Sequence, residues 1–323
     1  MEQVVLYPPS TLPDINGLAD NDIPVPETIN LYKVYNGLVT SYGYVIEKFQ
    51  LLTPAISIRH RASISIKNIF VFTFFKKKII VKTPCLSITN GWCDSYYHFT
   101  LECLPKLFLL KESIPTSTVV VPNDIKDFHK QWFKLLQVNN IQLVSNNEVV
   151  KTPLIITTNF IARDLNHHNL ITPAFSKWVI SFIINITSLS YPKIFIGRKY
   201  PKHRILINNE AVKLFLSEYG FVYLEMEDFS VEQQVKLFNN AEQIIAVHGA
   251  ALTNSCFCKP NTKIIDLMHQ DFNQLCFLKL ALTMNLSYHI LRCNGSNNKP
   301  DLLPGYRDIE VNIEELSTLL KLW

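Results

Sequence analysis

Residues 244–254, with the sequence IIAVHGAALTN, join a short apolar run to a turn of small residues and the start of a helix. The run 244–247 is typical of a buried strand, and His248 and Gly249 follow it directly. A helix that begins at Ala250 would present free backbone amides and partial positive charge, which together can hold a phosphate group. An ordinary strand-to-helix turn with a buried histidine explains this segment alone equally well.

Strands and helices alternate on both sides of this segment. Further strands are predicted at 118–122, 142–144, 154–157, 194–196, 221–224, 263–266 and 288–291. Helices are predicted at 97–111, 125–136, 209–218, 230–240, 273–284 and 312–320, with Ser230 and Gln233 as a capping box. Such alternation indicates parallel sheets, so we predict an α/β fold of two Rossmann-like domains facing a cleft. Ligands of such sheets bind at the carboxyl ends of the strands.

The remaining segments set the predicted domain boundaries. The first thirty residues are rich in Pro, Asp and Asn and predict an irregular surface arm, whereas alternation over 31–81, including 64–66 and 69–72, predicts antiparallel strands. The apolar stretch 173–189 predicts one long helix. We therefore expect an N-terminal domain over 1–172, a connecting helix over 173–192 and a C-terminal domain over 193–323, with the last helix free to pack back on the first domain.

Composition limits the class of protein. The 323 residues are 48% hydrophobic and 18% charged with a net charge of +4, which fits two ordinary cores and excludes a strongly basic nucleic-acid binder. The run Lys76–Lys78 is interpreted as a turn or strand end, and peripheral contact with a membrane or polyanion stays open as the alternative. Seven cysteines without a C-x-x-C pair favour reduced thiols, and no signal peptide or spanning segment is visible, so a cytoplasmic protein is expected.

Two further groups of polar residues carry the candidate chemistry. Arg198 ends a predicted strand and Arg204 lies six residues on; arginines there can make bidentate bonds to a pyrophosphate, although a solvated basic loop is the alternative. His98 and Glu102 lie four residues apart, which places them on one helical face as a general-base pair or as a structural hydrogen bond. Adjacent His167 and His168 point apart, so no metal site is predicted.

Several motifs in a fixed order then resemble glycosyltransferase family 61. They are YYHF at 96–99 with Glu102 and LP at 104–105, IGR at 196–198 through Arg204 to NE at 209–210, YGF at 219–221, Ser230 with EQ at 232–233, FNNA at 238–241, and HGAALTN at 248–254. The resemblance covers roughly residues 85–290.

The resemblance implies a two-domain GT-B enzyme that transfers a sugar from a UDP-sugar donor to a glycan or other hydroxyl acceptor, with inversion and without an obligatory metal or other cofactor. The C-terminal domain would bind the nucleotide sugar and the N-terminal domain the acceptor. By position, the donor diphosphate would be held by Arg198, Arg204, His248, Gly249, Ala250 and Thr253, with Ala251 and Asn254 beside them.

The expected mechanism uses Glu102 as the base, or His98 oriented by Glu102, and Asp94 is the reserve candidate. Three rival functions stay open. They are a non-catalytic protein of the same fold that binds a sugar nucleotide or carbohydrate, a nicotinamide-dependent oxidoreductase, and a polyanion or membrane binder. No G-x-G-x-x-G follows a predicted strand, which argues against the oxidoreductase.

Overall fold

A computed structural model of the chain describes residues 1–7, 28–56, 64–162, 167–183, 190–199, 201–295 and 302–322. The chain divides into two compact units, Met1–Trp178 and Val179–Trp323, which are described separately. In the described part of the chain, no helix is both long and apolar enough to cross a membrane. All seven cysteines are free and buried.

The first unit contains two sheets and the helices that cover them. Its strands are β1 (Glu2–Tyr7), β2 (Ile29–Tyr35), β3 (Leu38–Thr40), β4 (Val45–Glu47), β5 (Gln50–Leu51), β6 (Lys77–Ile80), β7 (Cys85–Ser87), β8 (Thr118–Pro122), β9 (Ile141–Val144), β10 (Glu148–Lys151) and β11 (Leu154–Thr158). Its helices are α1 (Ile66–Phe74), α2 (Tyr96–His98), α3 (Leu104–Leu109), α4 (Asp127–Leu135) and α5 (Ile171–Phe182), and α5 continues into the second unit.

The larger sheet of this unit has the strand order β1-β2-β11-β7-β8-β9. Strands β11, β7, β8 and β9 are parallel, as the alternation of strands and helices predicts, and β2 joins β11 in antiparallel pairing. Val119, Val120 and Val121 of β8 are all fully buried, because a parallel strand is covered on both faces.

The smaller sheet has the order β5-β4-β3-β10-β6, with β6 parallel to β10 and the other pairs antiparallel. One face shares a core with the larger sheet, in which Val39 and Val150 pack with Val34 and Ile155. Helix α1 covers the other face, where Ile69 packs against that sheet.

Three predictions for the start of the chain are wrong. Residues 66–72 form part of helix α1 instead of strands, because Ser65 and Asn68 make a capping box at its start. Residues of the predicted irregular arm form β1, which pairs with β2, and residues 8–27 of that arm lie outside the described part. Strand β6 is present near its predicted place but is parallel to β10, a strand that the pattern did not indicate.

The second unit is a single sheet with helices around it. Its strands are β12 (Lys193–Ile196), β13 (Val222–Leu224), β14 (Gln243–Val247), β15 (Lys263–His269), β16 (Ser287–Gly295) and β17 (Ile309–Glu310). Its helices are α6 (Asn209–Glu218), α7 (Val231–Asn240), α8 (Cys276–Thr283) and α9 (Ile313–Lys321). The predicted capping box of Ser230 and Gln233 is present at α7.

The strand order β13-β12-β14-β15-β16-β17 is parallel through β16, and only its edge pair β16–β17 is antiparallel. From β12 the chain passes to β13 on one side and then to β14 on the other. The sheet therefore has its topological switch point between β12 and β14, where open α/β sheets bind their ligands. The predicted helix after Gly249 is a 3-10 helix, Ala250–Phe257, instead of an α-helix.

Candidate active site

The two predicted arginines and the glycine turn meet at the switch point of the second unit. Arg198 follows β12, and His248 and Gly249 follow β14. A Cβ built on Gly249 would lie 3.9 Å from Nε of Arg198 and 3.9 Å from Nη1 of Arg204, so both guanidinium groups face this glycine. Nη1 of Arg204 donates to the backbone oxygen of His248 at 2.9 Å, and Nη1 of Arg198 donates to that of His203 at 2.7 Å.

The electrostatics of this arginine pair are unusual for a folded protein. Burial lowers the pKa of Arg198, an effect that the charge of Glu227 partly offsets. Burial, followed by repulsion from Arg198, lowers the pKa of Arg204 from 12.5 to about 10. In the described ranges no carboxylate oxygen lies within 4.0 Å of either group, and Nε of Arg204 is buried without a hydrogen-bond partner. Arg204 also has a φ of 56°, which is uncommon for a residue with a side chain.

His248 is held from behind by a buried carboxylate. Nδ1 of His248 lies 2.7 Å from Oδ2 of Asp266, which also accepts from the hydroxyl of Tyr288 at 2.8 Å. Burial and then the charge of Asp266 raise the pKa of Tyr288, so the phenol stays protonated and donates. Because the carboxylate accepts at Nδ1, the hydrogen of the neutral imidazole is on Nδ1 and Nε2 is the acceptor atom.

The start of the 3-10 helix divides into accessible and buried residues. Ala250 is exposed and Ala251 half-buried, so the backbone amides of the first turn can be approached. The side chains of Thr253 and Asn254 are fully buried, and Nδ2 of Asn254 donates to Gln234 at 3.0 Å. The bond of Asn254 ties the turn to α7, and neither of these two side chains lines the cavity next to the arginines.

In the first unit His98 and Glu102 form a direct hydrogen bond. Nδ1 of His98 lies 2.8 Å from Oε1 of Glu102, and Nδ2 of Asn90 donates to Oε2 at 2.7 Å. Glu102 is only 2% exposed, whereas the side chain of His98 is 19% exposed. Both carboxylate oxygens of Glu102 therefore have a hydrogen-bond partner. In the described part of the chain Nδ1 of His98 is in a hydrogen bond, whereas its Nε2 is in none.

A π-helical segment, Phe99–Cys103, carries Glu102 between α2 and α3. The amide of Leu104 donates to the carbonyl of Phe99, five residues back. The cause is visible in the sequence, because Pro105 has no amide hydrogen and its ring crowds the carbonyl four residues earlier. Widened turns of this kind are frequent at functional sites.

Asp94 lies in a different environment from this pair. Its carboxylate is exposed, with Oδ2 3.7 Å from Nζ of Lys126. It lines a cavity of about 180 Å³ together with Asp124 and His129, and neither His98 nor Glu102 is among the lining residues.

The family model described as Glycosyltransferase 61 matches residues 96–265, a range that contains His98, Glu102, both arginines and His248. This chain belongs to glycosyltransferase family 61.

Two curated relatives of this family-61 chain are plant enzymes. A β-1,2-xylosyltransferase from Arabidopsis thaliana is 29% identical over 92 residues, and β-1,2-xylosyltransferase RCN11 from Oryza sativa subsp. japonica is 26% identical over 92 residues. Each alignment covers 28% of this chain and 16% of the relative, so the similar segment spans about a sixth of those proteins.

Sequence reasoning missed three side chains of the arginine cavity. This cavity has a volume of about 280 Å³, and Asn209, Tyr223 and Glu225 line it with the arginines. The hydroxyl of Tyr223 donates to Glu225 at 2.9 Å, and a Cβ built on Gly197 would lie 2.1 Å from that hydroxyl oxygen. The signal was present, because Tyr223 and Glu225 lie at the carboxyl end of β13, beside β12. Asn90 of the first unit, twelve residues from Glu102, gave no such signal.

Proposed function

We propose that this family-61 chain is an inverting, metal-independent glycosyltransferase with the two-domain GT-B arrangement, and that it moves a sugar from a UDP-sugar to a hydroxyl of a glycan or similar acceptor. The observation that carries the proposal is the pair Arg198 and Arg204, which lie half-buried together beside Gly249 without a carboxylate partner in the described residues. Buried cations are costly unless an anion neutralises them, and a diphosphate supplies that charge.

The second unit provides what a departing diphosphate requires. The phosphate oxygens gain negative charge as the bond to the sugar breaks, and guanidinium groups in a partly buried site stabilise that charge strongly. The accessible amides at Ala250 and Ala251 add donors at the positive end of the 3-10 helix. His248, fixed by Asp266, can accept a hydrogen bond from a ribose hydroxyl through Nε2.

In the first unit we assign the base to His98 instead of Glu102. The buried carboxylate of Glu102 already accepts from Asn90 and His98, so it acts as a positioning residue that fixes the imidazole tautomer. The acceptor hydroxyl gives its proton to Nε2 of His98 while its oxygen attacks the anomeric carbon. The bond from that carbon to the diphosphate oxygen breaks and its electron pair leaves with the diphosphate. A single displacement of this kind inverts the anomeric centre.

The names of the plant relatives suggest the first donor to test. Both are β-1,2-xylosyltransferases, so we propose UDP-xylose as the first candidate and UDP-hexoses as the comparison set. Because the arginines would supply the positive charge that a metal ion supplies in other enzymes, we expect transfer to survive treatment with a metal chelator.

The test compares turnover with nucleotide affinity in His98→Gln and Glu102→Gln. His98→Gln should lower turnover on the order of 100- to 10,000-fold, the usual contribution of a positioned base, and leave UDP affinity unchanged. Glu102→Gln should lower turnover less and shift its pH profile, because the imidazole keeps its place but loses its charged partner. His289→Gln, a change of an exposed histidine in β16, is the matched control.

Donor turnover is followed as UDP release and affinity by calorimetry. Unchanged turnover in His98→Gln would remove the assigned base. UDP binding without turnover by the unaltered chain, over the full donor set and with glycan acceptors, would favour a non-catalytic sugar-nucleotide binder instead.

A further inference from the structure

Helix α1 has a second apolar face that is largely exposed in the described part of the chain. Ile66, Phe70 and Phe74 follow one another at a spacing of four and lie on one side of the helix. Their exposed fractions are 86%, 52% and 54%, which are high for large apolar side chains. Contiguous exposed apolar surface of this kind marks an interaction site more often than chance exposure.

These side chains are exposed although helix α1 packs on the first unit. Ile69 and Phe72, on the opposite side of α1, pack on the smaller sheet against Leu38, Ile46 and Val149. The helix is therefore fixed to the first unit by one apolar face and presents the other outward.

A hairpin tip extends the outward face. Phe49, between β4 and β5, is 58% exposed, and its ring stacks on Phe74 with centroids 5.4 Å apart. Lys48 and Phe49 both have positive φ values, 46° and 65°, which side chains larger than Asn or Gly rarely adopt in such turns. We call Ile66, Phe70, Phe74, Phe75 and Phe49 the aromatic patch.

The charge around the aromatic patch is mainly positive. Residues 48–93 contain eight lysines and arginines and no aspartate or glutamate, although the whole chain has a net charge of only +4. Lys48, Lys67 and Lys78 are exposed, and in the described ranges no carboxylate lies within 4.0 Å of them. Lys76 and Lys77 next to them bond to residues 146–148, including Glu148 at 3.3 Å from Lys77.

We propose that the aromatic patch docks on the surface of an anionic lipid bilayer. Aromatic side chains on an outward helix face enter the boundary between headgroups and acyl chains, and lysines at the rim attract anionic headgroups. A bilayer with anionic lipid provides apolar depth and a field of negative charge together, which matches the two parts of this surface. The proposal is independent of the sugar-transfer chemistry, because none of these residues belongs to the candidate active site.

The test is sedimentation of the full chain with vesicles of phosphatidylcholine alone or with about a third phosphatidylserine. We expect clear binding to the anionic vesicles and weak binding to the neutral ones. Phe70→Ser with Phe74→Ser should weaken binding to anionic vesicles at least about tenfold, since each phenylalanine loses its burial. Lys78→Gln should weaken it about fivefold, and higher salt should remove that difference.

Matched controls come from exposed residues outside the patch. Leu214→Ser on α6 and Lys134→Gln on α4 should leave vesicle binding unchanged. Circular dichroism checks the fold of each variant, and if the double phenylalanine variant does not fold, Phe49→Ser at the hairpin tip takes its place.

Three outcomes would overturn the proposal. The first is an absence of binding to anionic vesicles, and the second is equal binding by the wild-type chain and the phenylalanine variants. The third is self-association in analytical ultracentrifugation that the phenylalanine changes abolish while vesicle binding is absent, which would assign the patch to a second copy of the chain.

Discussion

Arg204→Gln separates a ligand-binding role of the arginine pair from a structural one. A guanidinium with a pKa of about 10 instead of 12.5 holds its charge in the folded protein at a cost on the order of 3 kcal/mol. The substitution removes that cost. It also removes the 2.9 Å bond from Nη1 to the backbone oxygen of His248, which is worth about 1.5–3 kcal/mol as a bond from a charged group.

The two effects oppose one another in the ligand-free protein. We therefore expect the free energy of unfolding of Arg204→Gln to stay within about 1.5 kcal/mol of the wild-type value. Glutamine also takes the same positive φ at position 204, so the backbone cost is unchanged.

Nucleotide affinity should respond differently. Each charge-assisted bond to a phosphate oxygen contributes about 1.5–3 kcal/mol, so loss of one bond weakens UDP binding about 10- to 150-fold. The pKa of about 10 keeps the wild-type group charged at pH 7–8, where the assay is run.

Calorimetry with UDP and urea unfolding, on the same preparations, measure both quantities. Lys259→Gln, a change of an exposed lysine in the second unit, is the control for loss of one positive charge. Unchanged UDP affinity in Arg204→Gln would refute the diphosphate assignment. A loss of several kcal/mol in stability would instead make Arg204 a structural residue.

Three further changes test buried charge in the first unit and packing in the second. Lys106 is buried, its Nζ has no partner in the described residues, and burial lowers its pKa from 10.5 to about 8. Between pH 8 and 10.5 the unfolded chain binds more protons than the folded one, so wild-type stability rises across that window. Lys106→Met should therefore stabilise the protein on the order of 3 kcal/mol at pH 7 and less at pH 10, as measured by urea unfolding. Gly197→Ala should lower the free energy of unfolding by about 1–3 kcal/mol, because its Cβ would collide with Tyr223. At Gly249 an added Cβ would meet its neighbours, including both arginines, only at 3.7–3.9 Å, so Gly249→Ala should keep the wild-type melting temperature and bind UDP more weakly.

The sequence predicted the second unit well for physical reasons. The run 244–247 is apolar on both faces, and strand β14 is buried on both faces, so the local pattern and the final environment agree. The capping box of Ser230 and Gln233 is likewise a local interaction that fixes the start of α7. Where each signal is contained within a few residues, sequence reasoning identifies the element.

Helix α1 shows why the prediction fails elsewhere. Its sequence IKNIFVFTF is β-branched and aromatic, and both faces are apolar, so it lacks the polar side that distinguishes a helical period. Its fold depends on Ser65 and Asn68 at one end and on contacts of Ile69 with the smaller sheet. The second apolar face removed the polar side by which a helix is recognised in the sequence, and this same face forms the aromatic patch.

The two groups of candidate residues differ in how their charges are paired, and the roles proposed for them rest on that difference. The spacing of His98 and Glu102 predicted their contact, but it gave no information on Asn90, whose amide occupies the second carboxylate oxygen. That carboxylate is buried and both of its oxygens accept hydrogen bonds, which is why we propose that it acts on an acceptor only through the imidazole. The arginines of the second unit are the opposite case. In the described residues Nε of Arg204 is buried without an acceptor, and the charge of Arg198 repels its guanidinium group. A paired buried charge orients what it touches, whereas unpaired buried cations favour whichever anion binds there.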